Sequence, residues 1–304
     1  MPSLVHPAPD RSRTMRSQQV LTAYLFVLPA IVFFLIFLVY PLVRGLAMSL
    51  QDYQIAAPEK PFVGLENYRK LFDDPDFSAS LLATFKFTAM FVPAVILVAL
   101  GLAVMLNMIR RGAALYRAIY FAPVMTAGVA VALIWRYVMH PSLGSANLLL
   151  ESVGLPPLNW FVDAATAMPS LVLVSVWQSM GLQTILFLAG LQGIPQHFYD
   201  AAKIDGAGQW QSFRYVTLPL LQHTTLFVTV TTIISSFQVF TLAFLFGRDG
   251  GPGKSLLVMV LYIQHTIMGR GNAGYAAAMA FVLFAIIMLF TLAQLALLRA
   301  RWEY

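Results

Sequence analysis

Cysteine is absent from the 304 residues. That excludes disulfides, thiolate metal sites and a cysteine nucleophile, and it leaves the compartment open. Charge is scarce as well: Asp, Glu, Lys and Arg make up 11% of the chain, against about 25% in soluble domains. With 59% hydrophobic residues and a mean hydropathy of +0.75, the composition is that of a membrane protein. Ionisable groups inside a membrane are costly and usually functional, and the long apolar stretches contain almost none. Lys86 and Arg136 stand at the ends of such stretches, where a long cationic side chain snorkels to water. His140, His223 and His265 are isolated, no His-Glu-x-x-His pattern occurs, and no Ser/His/Asp set is evident. An intramembrane hydrolase or a proton-coupled pump would want buried titratable partners. The chain is therefore read as non-catalytic and without a metal site. Its net charge of +6 is read as basic residues flanking membrane spans, not as a nucleic-acid surface.

What is present is a series of long uncharged runs. Ser17–Val43 has 27 residues, roughly 40 Å as a helix. Phe87–Ile109 has 23 and Ala118–Trp135 has 18. Further spans fit at Met168–Gly193, Leu226–Gly247 and Gly271–Leu298. Each is long enough to cross about 30 Å of hydrocarbon. Leu256–Met268, at 13 residues, is short for a span and is expected to be interfacial or re-entrant. The pattern predicts an all-α polytopic membrane protein with six transmembrane helices.

An even number of spans puts both termini on one side. Arg11, Arg13, Arg16, Arg110, Arg111, Arg117, Arg299 and Arg301 then share that side, which the excess of basic residues marks as cytoplasmic. The expected layout is a cytoplasmic arm at residues 1–19, a six-helix domain at 20–298 and a cytoplasmic tail at 299–304. An outside loop is expected at 44–86 and an inside loop at 195–222. The first apolar run is too long for a signal-peptide core and is expected to be retained.

The stretch "GRDGGPGKS", Gly247–Ser255, looks at first like a phosphate-binding loop. That motif needs four residues between its first Gly and the Gly-Lys-Ser/Thr ending. Counted back from Gly253, the first Gly would fall at Arg248. Pro252 also lacks the N–H that such a cradle aims at phosphate. The segment is read as an outside Gly/Pro turn, with Arg248 and Lys254 free to meet a partner there.

Uncharged polarity marks two spans. Ser175, Ser179 and Gln183 recur every four residues, as do Thr225 and Thr229, with Thr232 and Ser236 continuing that face and Ser235 and Gln238 beside it. Hydroxyls and amides can exchange hydrogen bonds with a hydroxyl-rich solute without a fixed charge. They also serve helix–helix packing in membranes, and the residues alone leave both roles open.

Between the fourth and fifth spans lies "IPQHFYDAAKIDGAGQWQSFRYVTLPLL", Ile194–Leu221. It is long for a connection. Pro195 ends the preceding helix, Tyr199–Ile204 suits a short helix, and Gly206 and Gly208 permit a sharp turn. Gln209–Thr217 resumes a helical pattern that Pro219 is expected to break. The product is a helix–turn–helix knob suited to a groove on a partner. Its residues Asp200-Ala201-Ala202, Gly206, Val216 and Leu218-Pro219, with Asp205-Gly206-Ala207, resemble the signature loop of permease subunits of binding-protein-dependent ABC importers. All spacings are kept, while Asp200 stands for the family's Glu and Val216 for its Ile. "VYPLVRGLAMSL", "FVGLENYRKLFDDPDF", "YFAPV", "LIWRYVMHPSLGSANLLL", "FLAGLQGIP" and "GGP" follow in family order, and the nearest branch resembles the maltose-type and glycerol-3-phosphate-type permeases.

The resemblance implies the type I ABC importer permease fold and one half of a heterodimeric pore in a bacterial or archaeal cell membrane. A second permease subunit, two ATPase subunits and an extracytoplasmic substrate-binding protein are the implied partners. ATP and Mg would bind the ATPases, and this chain would hold no cofactor. Asp200, Ala201, Ala202, Asp205, Gly206, Ala207 and Pro219 would couple the knob to the ATPases. Ser175, Ser179, Gln183, Thr232, Ser235, Ser236 and Gln238 would line the solute path, with Val239 matching a contact face of the maltose-type relatives. The implied solute is a sugar, with an oligosaccharide preferred. Glycerol-3-phosphate or a phosphodiester is the alternative, and a stand-alone secondary carrier ranks lower, since internal repeats are not apparent.

Overall fold

Apolar runs form helices here, and proline and glycine decide where those helices bend. A computed structural model describes residues 11–109 and 112–299. Arg110, Arg111 and Arg301 lie outside the described residues. The chain runs α1 (Arg11–Phe34), α2 (Tyr40–Ser49), α3 (Glu66–Asp73), α4 (Pro75–Met108), α5 (Ala113–Met125), α6 (Gly128–Val138) and α7 (Ser145–Ser152). It continues through α8 (Ala164–Gln192), α9 (Gln196–Ile204), α10 (Gln209–Ser212), α11 (Leu218–Leu220), α12 (Gln222–Phe237), α13 (Thr241–Phe246), α14 (Met259–Met268) and α15 (Ala273–Arg299). Among the described residues there are no strands, only isolated bridges at Gln51–Phe62 and Gln54–Asn272.

Five helical stretches are long and apolar enough to cross a membrane: Thr22–Ser49, Pro75–Met108, Ala164–Gln192, Gln222–Phe246 and Ala273–Ala296. The third expected span, Ala118–Trp135, is not one straight helix. It is a pair, Leu115–Met125 and Gly128–Val138, bent by 97°. Pro123 removes a backbone donor near the end of α5, and Thr126 and Ala127 then take extended ψ values of 130° and 134°. Six crossings result only if this pair counts as one. The fifth span is interrupted too, between α12 and α13, where Phe240 leaves helical geometry at φ −140°.

Two prolines are accommodated rather than obeyed. A π turn at Leu35–Val39 precedes Pro41, and another at Phe213–Thr217 precedes Pro219. In each, the residue just before the proline donates five residues back, Tyr40 to Leu35 and Leu218 to Phe213. The widened turn makes room for the ring and removes the demand for its missing N–H. The expected break before the next span falls at Leu221, two residues after Pro219, between α11 and α12.

Other boundaries also shift. Arg11–Arg16 lie on α1, so residues 11–19 of the expected arm are helical, and the stretch apolar enough to cross a membrane begins at Thr22. The expected loop 44–86 shrinks at both ends, because α2 continues to Ser49 and α4 starts at Pro75.

The core joins α4, α8, α12, α14 and α15, with Phe87, Phe91, Val95, Leu171, Val174, Phe237, Leu261 and Met279 buried in it. Close approach is set by glycine at two points. A Cβ on Gly181 would lie 2.3 Å from the Tyr120 carbonyl oxygen, so α8 can seat against α5 only without one. A Cβ on Gly274 would lie 2.3 Å from the Gln51 carbonyl oxygen. The first crossing is the exception to this packing. None of its apolar window is buried, and only its α2 end meets α15, where Gly45 lies over Phe281. The end holding α9–α11 and the end of α15 is called basal below, and the end holding α3 and α14 distal.

Candidate functional site

The basal knob is built by a helix stop. At the end of α9 the Ala207 N–H bonds back to the Ala202 carbonyl at 2.9 Å, and the Gly206 N–H to Lys203 at 3.0 Å. Gly206 sits at φ +79°, the left-handed position this pair of bonds requires. The chain then re-enters helix at α10, where Gln211 Oε1 accepts from the Gly208 N–H at 2.8 Å. The two arms are pinned by the Tyr199 and Thr217 hydroxyls, 3.1 Å apart. Asp200 is exposed, accepts from Gln196 Nε2 at 3.3 Å and lies 3.7 Å from Lys203. Asp200, Ala201, Asp205 and Gly206 face solvent, Ala202 and Ala207 are half-buried, and Pro219 is exposed.

The knob also presents Ile204, Trp210 and Tyr215, each more than 70% exposed. Large apolar groups exposed on a polar knob suit a protein or membrane contact, and these three lie outside the signature motif. Their signal in the sequence was their clustering in a connection otherwise rich in polar and small residues. A cavity of about 630 Å³ separates the knob from the basal ends of α4 and α8, with Asn107, Met108, Leu191, Tyr199 and Phe213 in its wall.

The polar faces of α8 and α12 divide into three groups. Ser175 and Ser236 are buried and satisfied: Ser175 Oγ donates to Leu171 O at 2.7 Å, and Ser236 Oγ to Ile233 O at 2.7 Å and Thr88 Oγ1 at 3.0 Å. Gln183 Oε1 and Thr232 Oγ1 are buried with no hydrogen-bond partner. Ser179 is half-buried, while Ser235 and Gln238 reach the surface. Gln238 stands in a groove of about 590 Å³ with Phe284, Ile287 and Met288 of α15. Val239 is half-buried. The seven residues, on two helices, thus divide between internal packing and exposed polarity.

At the distal end the structure assembles a cluster that sequence reasoning missed. Asp74 caps α4: its Oδ1 accepts from the N–H groups of Asp76 at 2.9 Å and Phe77 at 3.3 Å. Its Oδ2 accepts from the Tyr262 hydroxyl of α14 at 2.5 Å and the Tyr275 hydroxyl of α15 at 2.6 Å. Arg270 donates to the Tyr262 oxygen at 3.1 Å and lies 3.7 Å from Asp76. Asp76 also pairs with Lys254, so one of the two basic residues of "GRDGGPGKS" is already engaged within the chain. Partial burial alone would raise the Asp74 carboxyl, but the two phenols and two backbone N–H groups outweigh it and hold it below its ordinary 3.8. Burial and the bond to Asp74 push Tyr262 up to about 12. The neighbouring hydrogen bond to Tyr262 raises Arg270 further.

The rest of that distal cap is non-local too. Buried Asn67 of "GLENYRKLF" donates to the carbonyls of Ser49 and Gln51, both at 2.9 Å, closing the end of α2. The first loop bridges to the turn before α15 through Ile55 N–H to Gly271 O at 2.7 Å and Ala273 N–H to Tyr53 O at 2.9 Å. The segment expected to be interfacial or re-entrant, with its helix α14, packs into the protein: Leu256, Val258, Met259 and Leu261 are fully buried, and Thr84 of α4 accepts the Met259 N–H at 2.8 Å. No cluster of three or more metal-ligating side chains occurs among the described residues.

Residues 98–302 match the protein family described as the binding-protein-dependent transport system inner membrane component. The chain is 33% identical to the probable ABC transporter permease protein YurN of Bacillus subtilis over 92% of this chain and 97% of that protein. It is also 33% identical to the arabinooligosaccharides transport system permease protein AraP of the same organism, covering 96% of this chain and 95% of that one. Its fold is similar, at a TM-score of 0.82 and 22% identity, to a chain in the crystal structure of a bacterial alginate ABC transporter in complex with an alginate pentasaccharide-bound periplasmic protein. That match covers 94% of this chain and 96% of the other.

Proposed function

The chain belongs to the family of binding-protein-dependent transport system inner membrane components, and from that membership we propose that it forms half of the pore of a sugar-importing ABC transporter. An oligosaccharide is the preferred solute. The relatives named for arabinooligosaccharides, and for trehalose and maltose at 31% identity, support that choice. The observation that carries the coupling role is the knob. Its left-handed Gly206 fixes α9 against α10, and Ile204, Trp210 and Tyr215 give it an apolar face fit for a groove.

In this reading two ATPase subunits dock on the knob and hold the ATP and Mg. The chain itself is non-catalytic and binds no cofactor. Asp200, Ala201, Ala202, Asp205, Gly206, Ala207 and Pro219 form or brace the coupling surface. The unpacked first crossing supports a second permease subunit as its neighbour. A soluble binding protein would meet the distal cap, and the basal end and both termini would then lie in the cytoplasm. Of the polar faces, Ser179, Ser235 and Gln238 would contact solute in the present state. Gln183 and Thr232 would do so only after their helices part. Ser175 and Ser236 serve packing.

Purification of the tagged chain from its native membrane tests the assembly: a second permease and an ATPase are expected with it, and a chain that isolates alone and transports alone would be a carrier. Ala202→Asp or Gly206→Asp is expected to abolish transport in a complex that still assembles; wild-type transport would remove the coupling assignment. Mass spectrometry of the solute held by the cognate binding protein decides the substrate. A phosphorylated ligand would replace the sugar reading with the glycerol-3-phosphate or phosphodiester alternative.

A further inference from the structure

The Asp74 cluster draws together segments far apart in sequence. Asp74 is 188 residues from Tyr262 and 201 from Tyr275. Its two oxygens face different structures, one the first turn of α4 and the other the phenols of α14 and α15. Beside the backbone bridge from Tyr53 and Ile55 to Gly271 and Ala273, it joins the end of the first distal loop, the buried short helix and the last crossing through one side chain. The carboxylate itself is only partly exposed and turned inward. A residue meant to touch a docked protein would present its charge outward. Here the charge is spent on four internal donors.

We infer that Asp74 is a positioning residue for transport, clamping the first distal loop, α14 and the start of α15 into one body that moves as a unit when the binding protein docks. This rests on the importer reading above. A docked protein can shift the equilibrium between pore states only by its differential affinity for them. If the cap deforms on contact, part of that difference is dissipated locally. Coupling between two sites is typically worth about 5–150-fold in affinity, so a lost clamp worth about tenfold removes a large part of it.

The absence of native cysteine makes a direct test available. Gln54 and Asn272 form an antiparallel bridge, and the flanking bonds, Ile55 to Gly271 and Ala273 to Tyr53, make them a non-hydrogen-bonded pair. Such pairs have Cα atoms about 4.5 Å apart, within disulfide range. Gln54→Cys/Asn272→Cys therefore allows a covalent substitute for the clamp. In the full complex, Asp74→Ala is expected to lower ATP hydrolysis stimulated by the binding protein about tenfold, equivalent to about 1.4 kcal/mol of coupling. Oxidising the 54–272 pair in that background is expected to restore stimulation to within about twofold, and reductant to remove it again.

Formed disulfide without rescue would mean that Asp74 acts by contact and not by clamping. Loss of stimulation on oxidising the pair with Asp74 intact would mean that the two segments separate during the cycle, which also overturns the inference. If Asp74→Ala does not assemble, Tyr262→Phe/Tyr275→Phe leaves the α4 cap in place, breaks the clamp and is subject to the same two outcomes. Disulfide formation in the isolated chain reads the clamp without any partner. It should slow about tenfold in Asp74→Ala by the same loss of coupling, and an unchanged rate overturns the clamp even if no ATPase ever copurifies.

Discussion

At the scale of single residues, burial and hydrogen bonding separate roles that look alike in sequence. Thr232 and Ser236 lie on one helical face, yet Ser236 Oγ has two partners and Thr232 Oγ1 has none. Replacing an orphaned hydroxyl by an isosteric methyl removes a desolvation cost of about 1–3 kcal/mol. Thr232→Val is thus expected to raise the thermal midpoint in detergent, and Ser236→Ala to lower it; the reverse order would show that Thr232 has a partner. Gly181 and Gly190 form a second pair of look-alikes. An added Cβ at Gly181 meets backbone oxygen, but at Gly190 its nearest neighbours are the side chains of Thr224 and Leu221. Gly181→Ala should cost about 1–3 kcal/mol as overpacking, and Gly190→Ala less, because side chains can rotate away; differential scanning fluorimetry ranks them. Asp74 supplies the pH dependence. Its folded value is depressed, so its contribution is complete above 3.8 and is lost as pH falls through the lower folded value. The stability difference between wild type and Asp74→Ala should stay constant from neutral pH to about pH 5 and shrink in stronger acid. None of this sorting was visible in the sequence, where spacing reveals a shared face but not what lies opposite it.

At the scale of elements, hydropathy located the crossings because lipid demands about 20 apolar residues whatever the tertiary contacts. The long helices from Pro75, Ala164 and Ala273 accordingly sit close to where the apolar runs placed them. Departures come from backbone geometry. Pro219 reads locally as a breaker, but the π turn just before it absorbs the ring, so the knob passes into α12 with only a local break at Leu221. The 97° bend after Pro123 is likewise settled by neighbours: α8 packs on α5, and α13 on α6. Helix α14 is short for a span and reads by length as interfacial or re-entrant; that it packs into the core, capped by Thr84 across 175 residues, is not visible in its length. The knob was the most legible site, since its turn is local. Gly206→Val should therefore disturb α9 strongly, at about 1 kcal/mol or more for a left-handed position. Hydrogen exchange at the Ala207 N–H would report the loss, and unchanged protection would show the turn to tolerate a side chain.

At the scale of the whole molecule, the described chain is incomplete as a packed body. The first crossing, exposed from Tyr24 through Val43 apart from half-buried Val39, packs on the rest mainly through α2. A photo-crosslinker at Phe26 or Phe33 is expected to capture a second permease; capture of lipid alone would assign that face to the bilayer. The proposed orientation has its own check. A maleimide that cannot cross membranes should label Gln54→Cys in intact cells and Trp210→Cys only after permeabilisation; the opposite order would invert the topology. Partner surfaces were the least legible feature, because an apolar residue facing lipid and one facing protein look identical in composition. Helix α4 has 34 residues, about 51 Å of rod against roughly 30 Å of hydrocarbon. It is gripped at one end by the Asp74 cluster and ends at the other in the wall of the cavity beneath the knob. Pro93 stands at the middle of that helix and lacks the N–H that would brace it, so a tilt of about 5° in either half about this residue swings its tip by about 2 Å. Distal and basal displacements along α4 therefore meet at this one residue.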